Sequence, residues 1–335
     1  MPAISTNKPL GLVLSGGGAK GAYQVGVWKA MTELGLADRV QVFSGTSAGA
    51  INAAAFATVC DPEKVQQMWL DRIEEIPRVK WLDALLKGTG NLWTQLMGVQ
   101  TLICQPNLTG PLGSVFDTAM SDLYHLITNP GSIRGILNRE GLEGLLREFL
   151  PSQWPESNPC VYATALESHG VLVDKVNPSS YQLTRFALHQ EPDIGRRLRK
   201  ILASTAIPWG FDSVEIDGKQ YIDGGWDEMG GDNTPLHPIL DNHPEVNTVY
   251  VVRCNCRSKD PGHCRKRMDG RRIVEIRPQT QLPGVLDGLN FLGNDQISIW
   301  SGTLSFSRHF AEMYANRGYE DAKKTLAFES GLNWD

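Results

Sequence analysis

The chain has 335 residues, 41% of them hydrophobic and 21% charged. At roughly 150 residues per domain, that length predicts about two domains or one large one with ample apolar material for a core, and it excludes a disulfide-stapled miniprotein or a disordered chain. Lys and Arg number 32 against 37 Asp and Glu, a net charge of −5 that weighs against a nucleic-acid partner.

The N-terminal segment MPAISTNKPLGLVLSGGG holds only the brief apolar run Leu10 to Leu14, too short for a signal-peptide core. No apolar stretch approaches the roughly 20 residues that span a bilayer. A cytoplasmic protein is expected, at most peripheral on membranes, with export by a route lacking a cleaved signal left open. Leu10 to Ser15 reads as a strand, Gly16 to Gly18 as a tight turn and Ala22 to Leu34 as a helix with apolar residues at helical spacing. The unit then repeats: Val40 to Phe43 is a short strand, Ser44 to Gly49 a turn, and Ala50 to Val59 an alanine-rich helix. Consecutive strand and helix signals predict parallel strands in an α/β sheet.

From Pro62 to Leu150 the pattern is mostly helical, without a convincing strand pair, and broken at Leu86–Asn91, Gln105–Gly113 and Thr128–Ser132. Its bulk, with Trp69, Trp81 and Trp93 among many leucines, suits helices packed on the sheet or a lipid-facing cap. Strands return at Cys160 to Ala165 and Gly170 to Val173, followed by a basic helix from Ile194 to Leu202. Asp217-Gly218 reads as a two-residue hairpin turn between Val214–Ile216 and Gln220–Ile222. Asn247 to Arg253 is a further buried strand, and Ser305 to Leu326 a serine-capped helix.

The strongest chemical signal is Gly45-Thr46-Ser47-Ala48-Gly49, a G-x-S-x-G turn between a strand and a helix, the setting a nucleophile elbow requires. Gly45 and Gly49 let the backbone turn sharply and lift the Ser47 hydroxyl out of the sheet edge. A serine needs a base. The seven histidines have no marked context, and a carboxylate acting directly is the alternative: Asp223 follows a strand and precedes Gly224-Gly225, with Asp217 as its rival. The glycine amides of Ser15-Gly16-Gly17-Gly18-Ala19-Lys20-Gly21 suit an anion, either a phosphate or the oxyanion of a tetrahedral intermediate. A dinucleotide site on the same loop, as in an oxidoreductase, wants an acid after the second strand, and Ser44-Gly45 stands there instead. Lys20 reads as a solvated turn lysine.

Six cysteines (Cys60, Cys104, Cys160, Cys254, Cys256 and Cys264) in so long a chain are no disulfide framework, so a reducing compartment is the default. Cys254-x-Cys256 with His263-Cys264 departs from the two-residue zinc knuckle, and no metal is expected. The basic runs Arg196, Arg197, Arg199, Lys200 and Arg265, Lys266, Arg267, Arg271, Arg272 read as solvated faces that anionic headgroups would suit.

Taken in order, GGGAKGAYQVGV, the GTSAG elbow about thirty residues later, ASTAIP (Ala203 to Pro208) and the downstream DGG resemble the patatin-like phospholipases and lipid acyl hydrolases. Weaker resemblance continues through NTVYVV to RGYEDA in the last helix. The resemblance implies Ser47 as nucleophile, Asp223 as its partner in a two-residue dyad and the amides of Gly16, Gly17 and Gly18 as the oxyanion hole. It further implies a three-layer α/β/α fold with a mostly parallel central sheet, and no metal or other cofactor. Hydrolysis of phospholipid or other lipid acyl esters through an acyl-enzyme follows, of phospholipase A or lysophospholipase type, with transient membrane-surface contact. Acyl transfer, a non-catalytic lipid-binding module and a protein or small-molecule activator stay open. Because the motifs must meet in one site, a single domain over 8–327 is expected, with 62–150 as a helical cap insertion and 328–335 as a tail. Two departures stand out: residues 69–150 match the family poorly, and Trp226 to Asp232 separate DGG from Asn233-Thr234-Pro235.

Overall fold

The computed structural model describes residues 8–59, 61–74, 78–79, 137–169, 180–208, 210–256, 265–268, 270–284, 302–303 and 305–330. The expected strand at Gly170–Val173, most of the expected cap, Cys60, Cys104, Cys264 and the last five residues lie outside these.

The sheet begins as the apolar runs predict. Strands β1 (Leu10–Leu14), β2 (Val40–Thr46) and β5 (Cys160–Ser168) lie side by side in parallel, with β9 (Thr248–Val252) and β11 (Arg271–Ile276) continuing in parallel beyond β1. Antiparallel strands flank this centre: β10 (Arg265–Met268) beside β11, β6 (Tyr181–Ala187) on one edge of β5, and on its other edge, past the end of β2, β8 (Lys219–Asp223) followed by β7 (Val214–Ile216). The remaining strands, β3 (Arg78–Val79) and β4 (Leu137–Asn138), form a separate two-residue pair inside the stretch where no strand pair is expected. Three further strands escape the sequence pattern. In β6 the side chains are mostly half-exposed, which blurs its alternation, and β10 with the start of β11 falls in a basic run that reads as a solvated face.

One face carries most of the helices. Helix α1 (Gly21–Glu33) and α2 (Ala48–Val59) pack there with α3 (Pro62–Arg72), α4 (Glu140–Phe149), α5 (Ile194–Ser204) and the long α7 (Arg308–Ser330). Helix α2 shows no apolar stripe because Ala48 to Ala57 are all buried, its alanines allowing close approach to the sheet on one side and to α1 and α3 on the other. Trp28 of α1 stacks on Phe56 of α2 at 4.7 Å between ring centroids, with Phe43 of β2 edge-on at 5.6 Å. Such pairs add about 0.5–1.5 kcal/mol each beyond their buried area. The opposite face has a thinner cover, in which Ile239 of the short α6 (His237–Asn242) and Val246 bury Val13, Val42 and Val251. The two layers around the mostly parallel sheet match the expected three-layer class, with unequal thickness.

The ends of the region expected to form a cap belong to the helical layer. Asp61 caps α3 by accepting from Glu63 and Lys64 N–H, Val65 and Trp69 are buried on the body, and Arg72 pairs with Glu148 of α4. Among the described residues no helix is long and apolar enough to cross a membrane.

Candidate active site

Strand β2 continues through Thr46 and α2 begins at Ala48, so the turn predicted over Ser44 to Gly49 shrinks to one residue. That residue is Ser47, 5% exposed, with φ at 55°. A left-handed conformation costs an L-residue roughly 1–2 kcal/mol and persists only where surroundings enforce it. Here they do. The Ser47 N–H donates to Ser204 Oγ at 2.9 Å, and the Ser204 hydroxyl donates to the Thr164 carbonyl at 2.6 Å, tying the elbow through the end of α5 to β5. The flanking glycines are required by close approach: a Cβ on Gly49 would sit 2.1 Å from the Leu14 carbonyl oxygen, and one on Gly45 would sit 2.2 Å from that of Gly49. The first turn of α2 thereby abuts the end of β1, with the positive end of the helix directly behind Ser47.

Sheet register delivers Asp223. Along one edge of β5, β2 pairs as far as Thr46 opposite Thr164, and β8 takes over from Asp223 opposite Ala165. The antiparallel β8 therefore ends head-on against the elbow, and its last side chain lies next to Ser47. Its placement depends on the hairpin, where Asp217 and Gly218 both have positive φ and Ile216 pairs with Lys219. Asp223 is 3% exposed. Loss of water pushes its carboxyl up to about 7, opposed by hydrogen bonding to the Ser47 side chain and to the Gly225 N–H, which donates to Oδ1 at 2.8 Å. Oδ2 is buried and carries no hydrogen bond of regular geometry among the described residues.

The glycine loop completes the cluster. A Cβ added to Gly16 would lie 3.2 Å from Ser47 Cβ, so this loop and the elbow touch. The Gly16 N–H, expected as an oxyanion donor, is occupied by the Asn233 carbonyl at 3.1 Å. Those of Gly17 and Gly18 have no acceptor among the described residues. Gly18 has φ at 55°, with Thr303 O 2.5 Å from where a Cβ would be, and Cys254 is wedged against Gly17. Lys20 is no solvated turn lysine: it is 0% exposed, its Nζ donates to Asn255 Oδ1 at 2.6 Å, and burial pushes the ammonium down to about 8.

Asn233, unassigned by sequence, lies at the centre of this site. Its Oδ1 fills the space a Cβ would take on both Gly16 and Gly225. The insertion before it closes on itself, Gly231 N–H returning to Trp226 O at 2.9 Å and Asp232 N–H to Gly224 O at 2.8 Å, so Asn233 re-enters beside DGG as if the extra residues were absent. The one sequence signal for it was the Asn-x-Pro following DGG.

Other candidates lie elsewhere. Asp217 is held bidentately by Arg196 at 2.6 and 2.7 Å. The described histidines are engaged away from Ser47: His189 with Val161 O, His243 between Tyr162 and Glu245, His169 with Gln182, His237 beside Asp241 and His309 against Phe310. His125 and His263 lie outside the described residues, as does Cys264, so half of the ligands weighed for zinc lie outside them. The basic helix α5 is not a free cationic face. Arg197 is buried, donating to the carbonyls of Leu188, Pro151 and Glu191, while Arg196 and Lys200 pair with Glu191.

Known proteins give the arrangement a family. Over 121 residues the chain is 31% identical to a patatin-like phospholipase domain-containing protein of Caenorhabditis elegans, covering 36% of this chain and 8% of that protein. Over 54 residues, 16% of this chain, it is 48% identical to Lysophospholipase nte1 of Aspergillus terreus and to an uncharacterized NTE family protein of Mycobacterium tuberculosis, covering 3% and 9% of those proteins. The matched stretches thus span less than a tenth of these relatives. Among solved structures, human GIVD cytosolic phospholipase A2 aligns over 98% of this chain and 60% of its own at 10% identity and a TM-score of 0.44. VipD from Legionella pneumophila aligns over 97% and 68% at 16% identity and 0.40. The model of the patatin-like phospholipase family matches residues 12–244, more than half of the sequence, and the chain belongs to that family.

Proposed function

We propose that this chain is a serine acyl hydrolase of lipid esters working through Ser47 and Asp223. The observation that carries the reading is the buried Oδ2 of Asp223, without a regular hydrogen-bond partner, beside a serine held in a left-handed elbow. A carboxylate steadied by the Gly225 N–H and hydrogen-bonded to the Ser47 side chain is placed to accept its proton.

Asp223 takes the Ser47 proton as Oγ attacks the ester carbonyl. The N–H groups of Gly17 and Gly18 hold the oxygen that becomes negative, aided by the N-terminus of α2. Collapse expels the alcohol, which recovers the proton from Asp223, and leaves an acyl group on Ser47. Water, deprotonated by the same carboxylate, then releases the fatty acid. With its pKa near 7, Asp223 is matched to donating and accepting a proton near neutral pH. No step draws on a metal. Membership of the family supports a phospholipid or lysophospholipid acyl ester as the substrate class, with a membrane surface as the place where such a lipid is met.

Labelling with a fluorophosphonate, with and without liposomes, and mapping of the adduct by mass spectrometry tests the assignment. The adduct is expected on Ser47, and Ser47→Ala should lose both label and ester hydrolysis. Label elsewhere, or unchanged hydrolysis by Ser47→Ala, refutes it.

A further inference from the structure

Behind the glycine loop runs a train of buried polar side chains that acyl transfer does not itself use. Trp69 Nε1–H of α3 donates to Asn52 Oδ1 of α2 at 2.8 Å. Asn52 Nδ2 donates to Gln24 Oε1 of α1 at 2.8 Å and to the Gly21 carbonyl at 2.9 Å. Gln24 Nε2 donates in turn to the Ser15 carbonyl at 2.6 Å and to Cys254 Sγ at 3.3 Å. Gln24 and Asn52 are 0% exposed and Trp69 4%. Both hydrogens of each amide are used and donation runs one way along the train, so turning either amide would set oxygen against oxygen.

Where the train ends gives it a purpose. It stops on the Ser15–Gly16 peptide, whose carbonyl is held by Gln24 and whose N–H is held by the Asn233 carbonyl. The next two N–H groups along the chain are those of Gly17 and Gly18. Glycine has little conformational preference of its own, so the direction of these amides must be imposed from outside the loop. Leucines in place of Gln24 and Asn52 would fill the same space without the cost of desolvating two carboxamides, yet would leave the peptide held at its N–H alone.

We infer that Gln24, Asn52 and Trp69 are positioning residues for acyl transfer: they fix the plane of the Ser15–Gly16 peptide and thereby aim the Gly17 and Gly18 N–H groups at the oxyanion. The inference rests on the reading of Ser47 as nucleophile, and one set of measurements separates the two. In the full chain, Gln24→Met and Trp69→Phe are compared with wild type for kcat and KM on a soluble nitrophenyl ester, for the rate of fluorophosphonate labelling of Ser47, and for thermal unfolding. Gln24→Met should lower kcat and the labelling rate by about 10- to 100-fold with KM nearly unchanged, since misplacing a donor by an ångström costs rates of that order. Trp69→Phe keeps the ring and loses one donor, and should lower both several-fold. Because the residues act in series, the double variant should be no slower than Gln24→Met alone. Equal kcat and labelling in a folded Gln24→Met, or losses that multiply in the double variant, overturn the inference while leaving Ser47 in place. If Gln24→Met does not fold, unchanged rates in Trp69→Phe overturn it. Wild type that takes no label at Ser47 overturns the nucleophile assignment and the inference with it.

Discussion

Replacing Asp223 by Asn separates the cost of burying the base from its use. In the folded chain the carboxyl has a pKa of about 7, raised by burial from 3.8, the value near which it titrates when unfolded. Between those two values the folded protein holds a proton that the unfolded chain has released, so stability falls as pH rises through that window. The contribution is full below about pH 4 and gone above about pH 7. Three pH units at about 1.4 kcal/mol each give about 4 kcal/mol as the most that burying this carboxylate costs.

Asn has the same shape and stays neutral at every pH. Urea unfolding of the wild type and Asp223→Asn between pH 4 and 8 should show the variant gaining on the wild type as pH rises, by up to about 4 kcal/mol across the range. Any fixed offset from the amide cancels in that slope. The same variant should have lost ester hydrolysis, so a gain in stability and a loss of activity would reside in one atom. A stability difference that is flat with pH, or that moves toward the wild type at pH 8, refutes the claim that the carboxylate is buried without a charge partner.

Catalysis should follow the opposite course of the same titration: kcat/KM on a soluble ester rises through a midpoint near pH 7 as Asp223 ionises, and a profile flat from pH 5 to 8 excludes it as the base. Ser204→Ala removes the acceptor of the Ser47 N–H and a donor to Thr164 O, so chemical unfolding should show a loss of about 1–3 kcal/mol, with a fall in kcat larger than any change in KM. Arg197→Leu strips donors from three carbonyls, two of them buried, and should cost about 3 kcal/mol or more in chemical unfolding, with kcat at permissive temperature little changed. Stability within about 0.5 kcal/mol of wild type would show that water replaces the guanidinium there.

The parts of the fold and site legible in the sequence are those fixed by short stretches of chain. The elbow is complete within Gly45 to Gly49, because Gly45 and Gly49 must be small to let β2, α2 and the end of β1 converge. Asp223 lies far along the chain, yet it is legible because it ends a strand immediately before Gly224-Gly225. The parallel centre was readable from uninterrupted apolar runs buried on both faces, as in the five buried residues of β1. Strand β6 was not, since an edge strand with half-exposed side chains leaves no such run.

What stayed hidden depends on partners that sequence proximity does not reveal. A lysine after three glycines is ordinarily solvated; Lys20 is buried because Asn255, some 235 positions later, returns over the loop to receive its ammonium. The same holds for the proposed oxyanion donors. Motif logic makes the three glycines equivalent, whereas the structure divides them: the Gly16 N–H is bonded to the Asn233 carbonyl, and those of Gly17 and Gly18 have no acceptor among the described residues. That division depends on the 226–232 insertion closing on itself, which composition alone could not foretell. On the proposed reading the elbow supplies the nucleophile, while the amides that would face the developing charge are set by Gln24 and Asn233, residues far apart in the chain that meet on the Ser15–Gly16 peptide.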